Sequence, residues 1–174
     1  MASYRHTSPH ARASTKPLKI RDTLQSVASP DFQAAARRHH GDAGFLLADS
    51  RWANADHLAG LAAECALKAI MQFMPFRATP NARGVLVWGH SSKELKQHID
   101  KLWRELAQNV SGYAAPTFIG LLASPGPKPF ANWHVEDRYS DGLAITQQET
   151  IEHLNAAGQV LAVLQQAAID GYVS

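Results

Sequence analysis

Cysteine is nearly absent: Cys65 is the single one among 174 residues. One thiol cannot form an internal disulfide or a multi-thiolate metal site, so a reducing compartment, the cytoplasm, is expected. Cys65 lies in an apolar stretch and reads as a small buried hydrophobe. Long hydrophobic runs are also missing. The stretch from Leu58 to Phe73 is broken by Glu64 and Lys68, which a bilayer core penalises, so no membrane span is expected. There is no phosphate-cradling glycine loop, no Gly-x-Ser-x-Gly elbow and no zinc signature. The Glu-x-x-His element of di-iron bundles is absent too, leaving Glu94/His98 and Glu149/His153, four apart, as expected surface pairs. Neither a metal nor a cofactor is expected.

Net charge is small, +2, but uneven. Up to Ser29 there are five basic residues against Asp22 alone, leaving 12 basic and 14 acidic residues from Pro30 onward. That balance does not indicate a large basic face for double-stranded nucleic acid. Residues 1–28 read as a basic, Ser/Pro-rich leader without apolar periodicity, and 29–174 as one helical domain. The leader resembles an organellar transit peptide in composition but lacks an amphipathic helix, so a plain extension fits better.

Hydrophobic spacing predicts four helices. The first opens at Ser29-Pro30-Asp31, with Ser29 as cap, and runs to about Asp49. The second spans about Trp52 to Phe73 and is apolar on most sides, which suits the centre of a bundle. From Met74 to Gly89 a packed loop is expected: Val85 to Trp88 has strand character, but one strand makes no sheet. The third helix is expected from about Ser91 to Ala107, with Leu95, Ile99, Leu102 and Leu106 as its buried stripe. Residues 108–142 are irregular, with a short helix expected over Thr117 to Ala123. The last helix opens at Thr146 with Glu149 in capping-box position, and Ile151, Leu154, Ala157, Leu161 and Leu164 mark its core face. The expected fold is all-α, an up-and-down bundle of four to five helices.

Several of these residues carry more than periodicity. Arg38-x-x-x-Asp42-Ala43-x-x-Leu46-Leu47, then Arg51-Trp52-Ala53-Asn54-Ala55 and the run Glu64-Cys65-Ala66-Leu67-Lys68-Ala69, resemble the first helical hairpin of HEPN proteins, the nucleotide-binding helical bundles of higher eukaryotes and prokaryotes. Gly89-His90 before Leu95, and Trp133-x-x-Glu136-Asp137-Arg138-Tyr139 before the last helix, resemble further elements of that family. The resemblance implies a bundle that dimerises. It also implies a nucleotide or RNA ligand and a small nucleotidyltransferase partner, in an accessory or toxin–antitoxin role. Some members of the family are metal-independent ribonucleases that use Arg, four to six residues, then His near the start of the last helix. Here Arg138 is followed by no histidine until His153. Arg5/His10, Arg51/His57 and Arg83/His90 have the spacing, but with ten arginines and nine histidines about one or two matches arise by chance.

The expectation is therefore a binding or accessory protein without chemistry of its own. The alternatives are a metal-independent ribonuclease toxin, with Arg51 and His57 as catalytic candidates or Arg138 and Tyr139 in their place, and a structural dimerisation module. For nucleotide or RNA binding the candidates are Arg138, Tyr139, Trp133, Glu64, Lys68 and His90. An arginine beside aromatic rings can hold phosphate while a ring stacks on a base. The plainer readings are that Trp133 and its neighbours dock a loop, that Glu64 and Lys68 are an intrahelical ion pair, and that His90 caps a helix.

Overall fold

The computed structural model describes residues 30–73, 77–88, 93–109 and 129–170. The leader, Ser29, His90 and the short helix expected over 117–123 lie outside these residues. The described part is mainly helical, with α1 (Phe32–Ala48), α2 (Trp52–Phe73), α3 (Ile99–Asn109) and α4 (Gln147–Ile169). Two two-residue strands, β1 (Thr79–Pro80) and β2 (Leu86–Val87), and a 3-10 helix over Val135–Tyr139 complete it. Among the described residues, no helix is long and apolar enough to cross a membrane.

α2 is the centre. It packs against α1, α4, α3 and the 3-10 helix, while α1 and α4 also meet. Ala55, Ala59, Ala62, Ala63, Ala66 and Ala69 are fully buried along it, and these short side chains let the flanking helices approach. Leu67, Ile70 and Met71 supply its bulk, meeting Leu86, Leu95, Ile99, Leu102 and Leu106 in one core.

The ends of α1 explain where it starts and stops. Asp31, not Ser29, is the N-cap: its Oδ1 accepts the Ala34 N–H at 2.9 Å. At the other end the Arg51 N–H reaches the Leu46 carbonyl (2.9 Å) and the Ser50 N–H reaches that of Leu47 (3.0 Å). This is a Schellman turn, and Ser50 holds its left-handed position at φ 59°. The turn delivers Arg51 directly to the start of α2.

Between α2 and α3 the expectation of a packed loop is corrected. β1 and β2 pair antiparallel, Thr79 opposite Val87 and Pro80 opposite Leu86. Asn81 closes the hairpin, its Oδ1 accepting from the backbone of Arg83 (2.9 Å) and Val85 (3.1 Å). A two-residue partner strand is too short to show alternation in sequence. The segment after it continues the ladder, with the Leu95 N–H donating to Leu86 O (2.7 Å) and the Trp88 N–H to Lys93 O (3.0 Å). That pairing holds residues 93–95 against the hairpin, and α3 starts at Ile99 rather than near Ser91. Its expected stripe is nevertheless all buried.

Thr146 caps α4 as expected, accepting the Glu149 N–H at 3.2 Å. The buried face is rotated from the one expected. Thr150, His153, Ala156, Ala157, Val160, Leu164 and Ala167 point inward, whereas Ile151, Leu154 and Leu161 are half-buried.

Candidate functional site

Two polar residues deep in the helix interface organise the site. Asp56 on α2 and His153 on α4 are 2% exposed each, and Nδ1 of His153 lies 2.6 Å from Oδ1 of Asp56. The other ring nitrogen, Nε2, is 3.2 Å from Oδ1 of Asn132, whose amide Nδ2 donates to the Glu149 carboxylate. With a carboxylate taking the amide N–H, the carbonyl oxygen of Asn132 faces the imidazole. His153 is thus no surface partner of Glu149; Asn132 stands between them.

This network fastens residues 130–134 onto the helices. Phe130 stacks on His153 with ring centroids 5.0 Å apart. Trp133 is 1% exposed, and its indole N–H donates to the Asp56 carbonyl at 3.1 Å. Its ring lies across Gly60, where a Cβ would sit 2.1 Å from the indole. Trp133 therefore has no ring face open to a ligand, and the stacking role expected for it is corrected to loop docking.

Docking Trp133 places the 3-10 helix that follows. The His134 N–H donates to Asp137 Oδ2 (3.2 Å), and Ser140 Oγ donates to the Asp137 carbonyl (2.8 Å). Gly142, at φ 74°, lets the next turn close on α2: a side chain there would meet Ala53 Cβ at 2.6 Å. The result is a cleft of about 370 Å³ whose walls include Ser50 and Arg51 from the α1–α2 turn, Asn54 from α2, and Arg138 and Ser140. Two arginines 87 positions apart in sequence meet in it.

Among the described residues neither Arg51 nor Arg138 enters an ion pair. Asp137 and Asp141 also line the cleft, but each accepts a backbone N–H, from His134 and Leu143. The guanidinium of Arg138 lies 4.7 Å from the ring of Tyr139, which is 77% exposed. An exposed cation–π pair leaves a ring face and guanidinium donors available together.

His57, the partner expected for Arg51, does not line this cleft. It stacks on Trp133 at 5.7 Å, nearly parallel, and its Nδ1 is buried without a hydrogen-bond partner. Burial, and then the positive charge of Arg138, hold its pKa below the ordinary imidazole value, which favours the neutral ring.

Glu64 and Lys68 form the expected intrahelical pair, Nζ to Oε1 at 2.6 Å, and Glu64 is buried. A third member joins them: His98 Nδ1 lies 3.0 Å from Glu64 Oε2. The pairing expected between Glu94 and His98 is corrected accordingly, since Glu94 instead binds Arg83 and Lys96. This cluster ties α2 to the start of α3 and contributes no residue to the arginine cleft. Beside it, burial and the Glu64 charge push the Cys65 thiol up to about 11.

No protein-family model, curated protein or solved structure matches this chain. The site must be read from its own chemistry. Asp56 and His153, which sequence reading missed, each carry a signal. Asp56 falls in phase with the buried Ala59, Ala63 and Ile70, and His153 with Ala157, Val160 and Leu164. A charged residue on a core stripe calls for a buried partner.

Proposed function

We propose that this chain is a HEPN-like, up-and-down helical bundle that binds a nucleotide or an RNA strand by its phosphate and performs no chemistry of its own. The observation that carries the reading is the meeting of Arg51 and Arg138, free of ion pairs among the described residues, in one polar cleft. Guanidinium groups present paired N–H donors that match phosphate oxygens, and Ser50 and Asn54 add neutral donors beside them. Tyr139 next to Arg138 supplies a surface for the attached base. The resemblance adds the cellular setting: a cytoplasmic accessory or toxin–antitoxin component, paired with a small nucleotidyltransferase. It also adds a homodimer, for which the exposed Phe45, Leu143 and Ile169 offer apolar surface.

Titration of purified protein with single-stranded RNA and with adenine nucleotides tests the proposal. Arg51→Ala and Arg138→Ala should each weaken binding roughly tenfold, the worth of a charge-assisted hydrogen bond. Undiminished binding in both variants would overturn it. The exposed Arg138–Tyr139 pair keeps the metal-independent ribonuclease as the second reading. On that reading RNA is cleaved in chelator, and Tyr139→Phe slows cleavage roughly a hundredfold or more.

A further inference from the structure

A second cleft, about 650 Å³, opens between the Pro129–Asn132 segment and α4. Its chemistry differs from that of the arginine cleft. Asn132, Asn155 and Gln159 bring three carboxamides to it, Glu152 brings a carboxylate, His153 also lines it, and among the described residues no lysine or arginine does. Pro129, Ala131 and Ala156 provide an apolar bed.

The polar groups are partly committed and partly free. Asn132 is held between His153 and Glu149, which fixes its orientation. Oε1 of Glu152 accepts from Gln148 at 2.9 Å, leaving its other oxygen to accept again. Asn155 and Gln159 are exposed and make no hydrogen bond among the described residues. An apolar bed, amide donors and acceptors, and one spare carboxylate oxygen suit the polar edge of a nucleobase. Carboxamides pair with adenine, and a carboxylate accepts from an exocyclic amino group while repelling a carbonyl in its place. The size suits a small ligand.

We propose that this second cleft is a nucleobase site that prefers bases carrying an exocyclic amino group, adenine or cytosine over uracil. It rests on the nucleotide- or RNA-binding reading for its biological sense but not for its test. Nucleosides carry no phosphate for the arginines, and the Asn155 and Gln159 side chains report on this cleft and not on Tyr139.

The experiment is an NMR titration of the full chain with adenosine, cytidine and uridine, following the side-chain amide signals of Asn155 and Gln159. Adenosine and cytidine should shift both signals, with uridine weaker by roughly tenfold. Glu152→Gln replaces the carboxylate with an amide that can face a carbonyl, so uridine should gain on the other two. Gln159→Ala, at an exposed position, should weaken all three, while Lys101→Ala, exposed and outside both clefts, should change none. Absence of shifts with every nucleoside, or equal binding that Glu152→Gln leaves equal, would overturn the site. A single-stranded RNA titration run beside it keeps the two readings apart. RNA that binds through Arg51 and Arg138 while nucleosides fail sinks only the base site, and nucleoside binding without RNA binding sinks only the arginine cleft.

Discussion

Replacing Gly60 with alanine sets a local rule against a tertiary contact. Gly60 lies inside α2, where propensity alone favours alanine by about 1 kcal/mol. A Cβ there would stand 2.1, 2.3 and 2.6 Å from three atoms of the Trp133 indole, distances no side chain tolerates. The indole cannot yield easily, being 1% exposed and tied to the Asp56 carbonyl. Overpacking costs about 1–3 kcal/mol, and a broken indole hydrogen bond adds about 0.5–1.5 kcal/mol. After the helix gain, Gly60→Ala should destabilise the fold by roughly 0.5–3.5 kcal/mol, and most of that range is within reach of urea denaturation followed by circular dichroism. Gly41 in α1 is the control, because a Cβ there meets nothing within 4 Å. Gly41→Ala should stabilise by up to ~1 kcal/mol. In a Trp133→Ala background the sign at Gly60 should reverse, since the obstructing ring is gone. A Gly60→Ala variant as stable as the parent would refute the docking of Trp133 and, with it, the placement of Arg138.

Asp56→Asn should cost roughly 3–5 kcal/mol in the same assay, because it strips the charged partner from a buried His153; a loss within error of zero would contradict the pairing. Ser50→Gly should stabilise by roughly 0.5–1 kcal/mol, since glycine takes the left-handed φ freely, with thermal melting as the check. The Cys65 thiol, pushed up to about 11, should label slowly in the native protein at pH 8 and rapidly once unfolded. His57 should titrate below the ordinary 6.5 by NMR, and Arg138→Ala should raise its midpoint. Because its folded pKa is depressed, the stability His57 contributes is present above 6.5 and lost as pH falls below it.

The helices were largely legible because burial in them repeats at short range. α2 begins and ends where its apolar spacing and the proline after it indicate. The start of α1 shifts by a residue or two because both Ser29 and Asp31 are capping residue types, and only geometry shows Asp31 in that role. α3 starts late because a strand pairing over two residues outcompeted helix formation, and so brief a pairing leaves no period to detect. The site was half legible. Arg51 and Arg138 stood out by type and neighbourhood, but their meeting depends on a contact between Trp133 and Asp56, 77 residues apart. Ligand platform and loop anchor are indistinguishable for Trp133 in sequence, because an aromatic beside charges looks the same whether it faces solvent or core. His153 was placed on the surface because its spacing from Glu149 suited an exposed helical pair, whereas its phase with Val160 and Leu164 put it inside.

The central claim is that Arg51 and Arg138 together hold phosphate. Its most direct measurement is the salt dependence of single-stranded RNA binding, followed by fluorescence anisotropy, for the parent, Arg51→Ala, Arg138→Ala and the double variant. Each phosphate contact to a single strand contributes about −0.7 to the slope of log affinity against log salt, so each single variant should lose roughly that much and the double variant about twice it. Parallel lines of equal affinity for all four proteins would contradict the account.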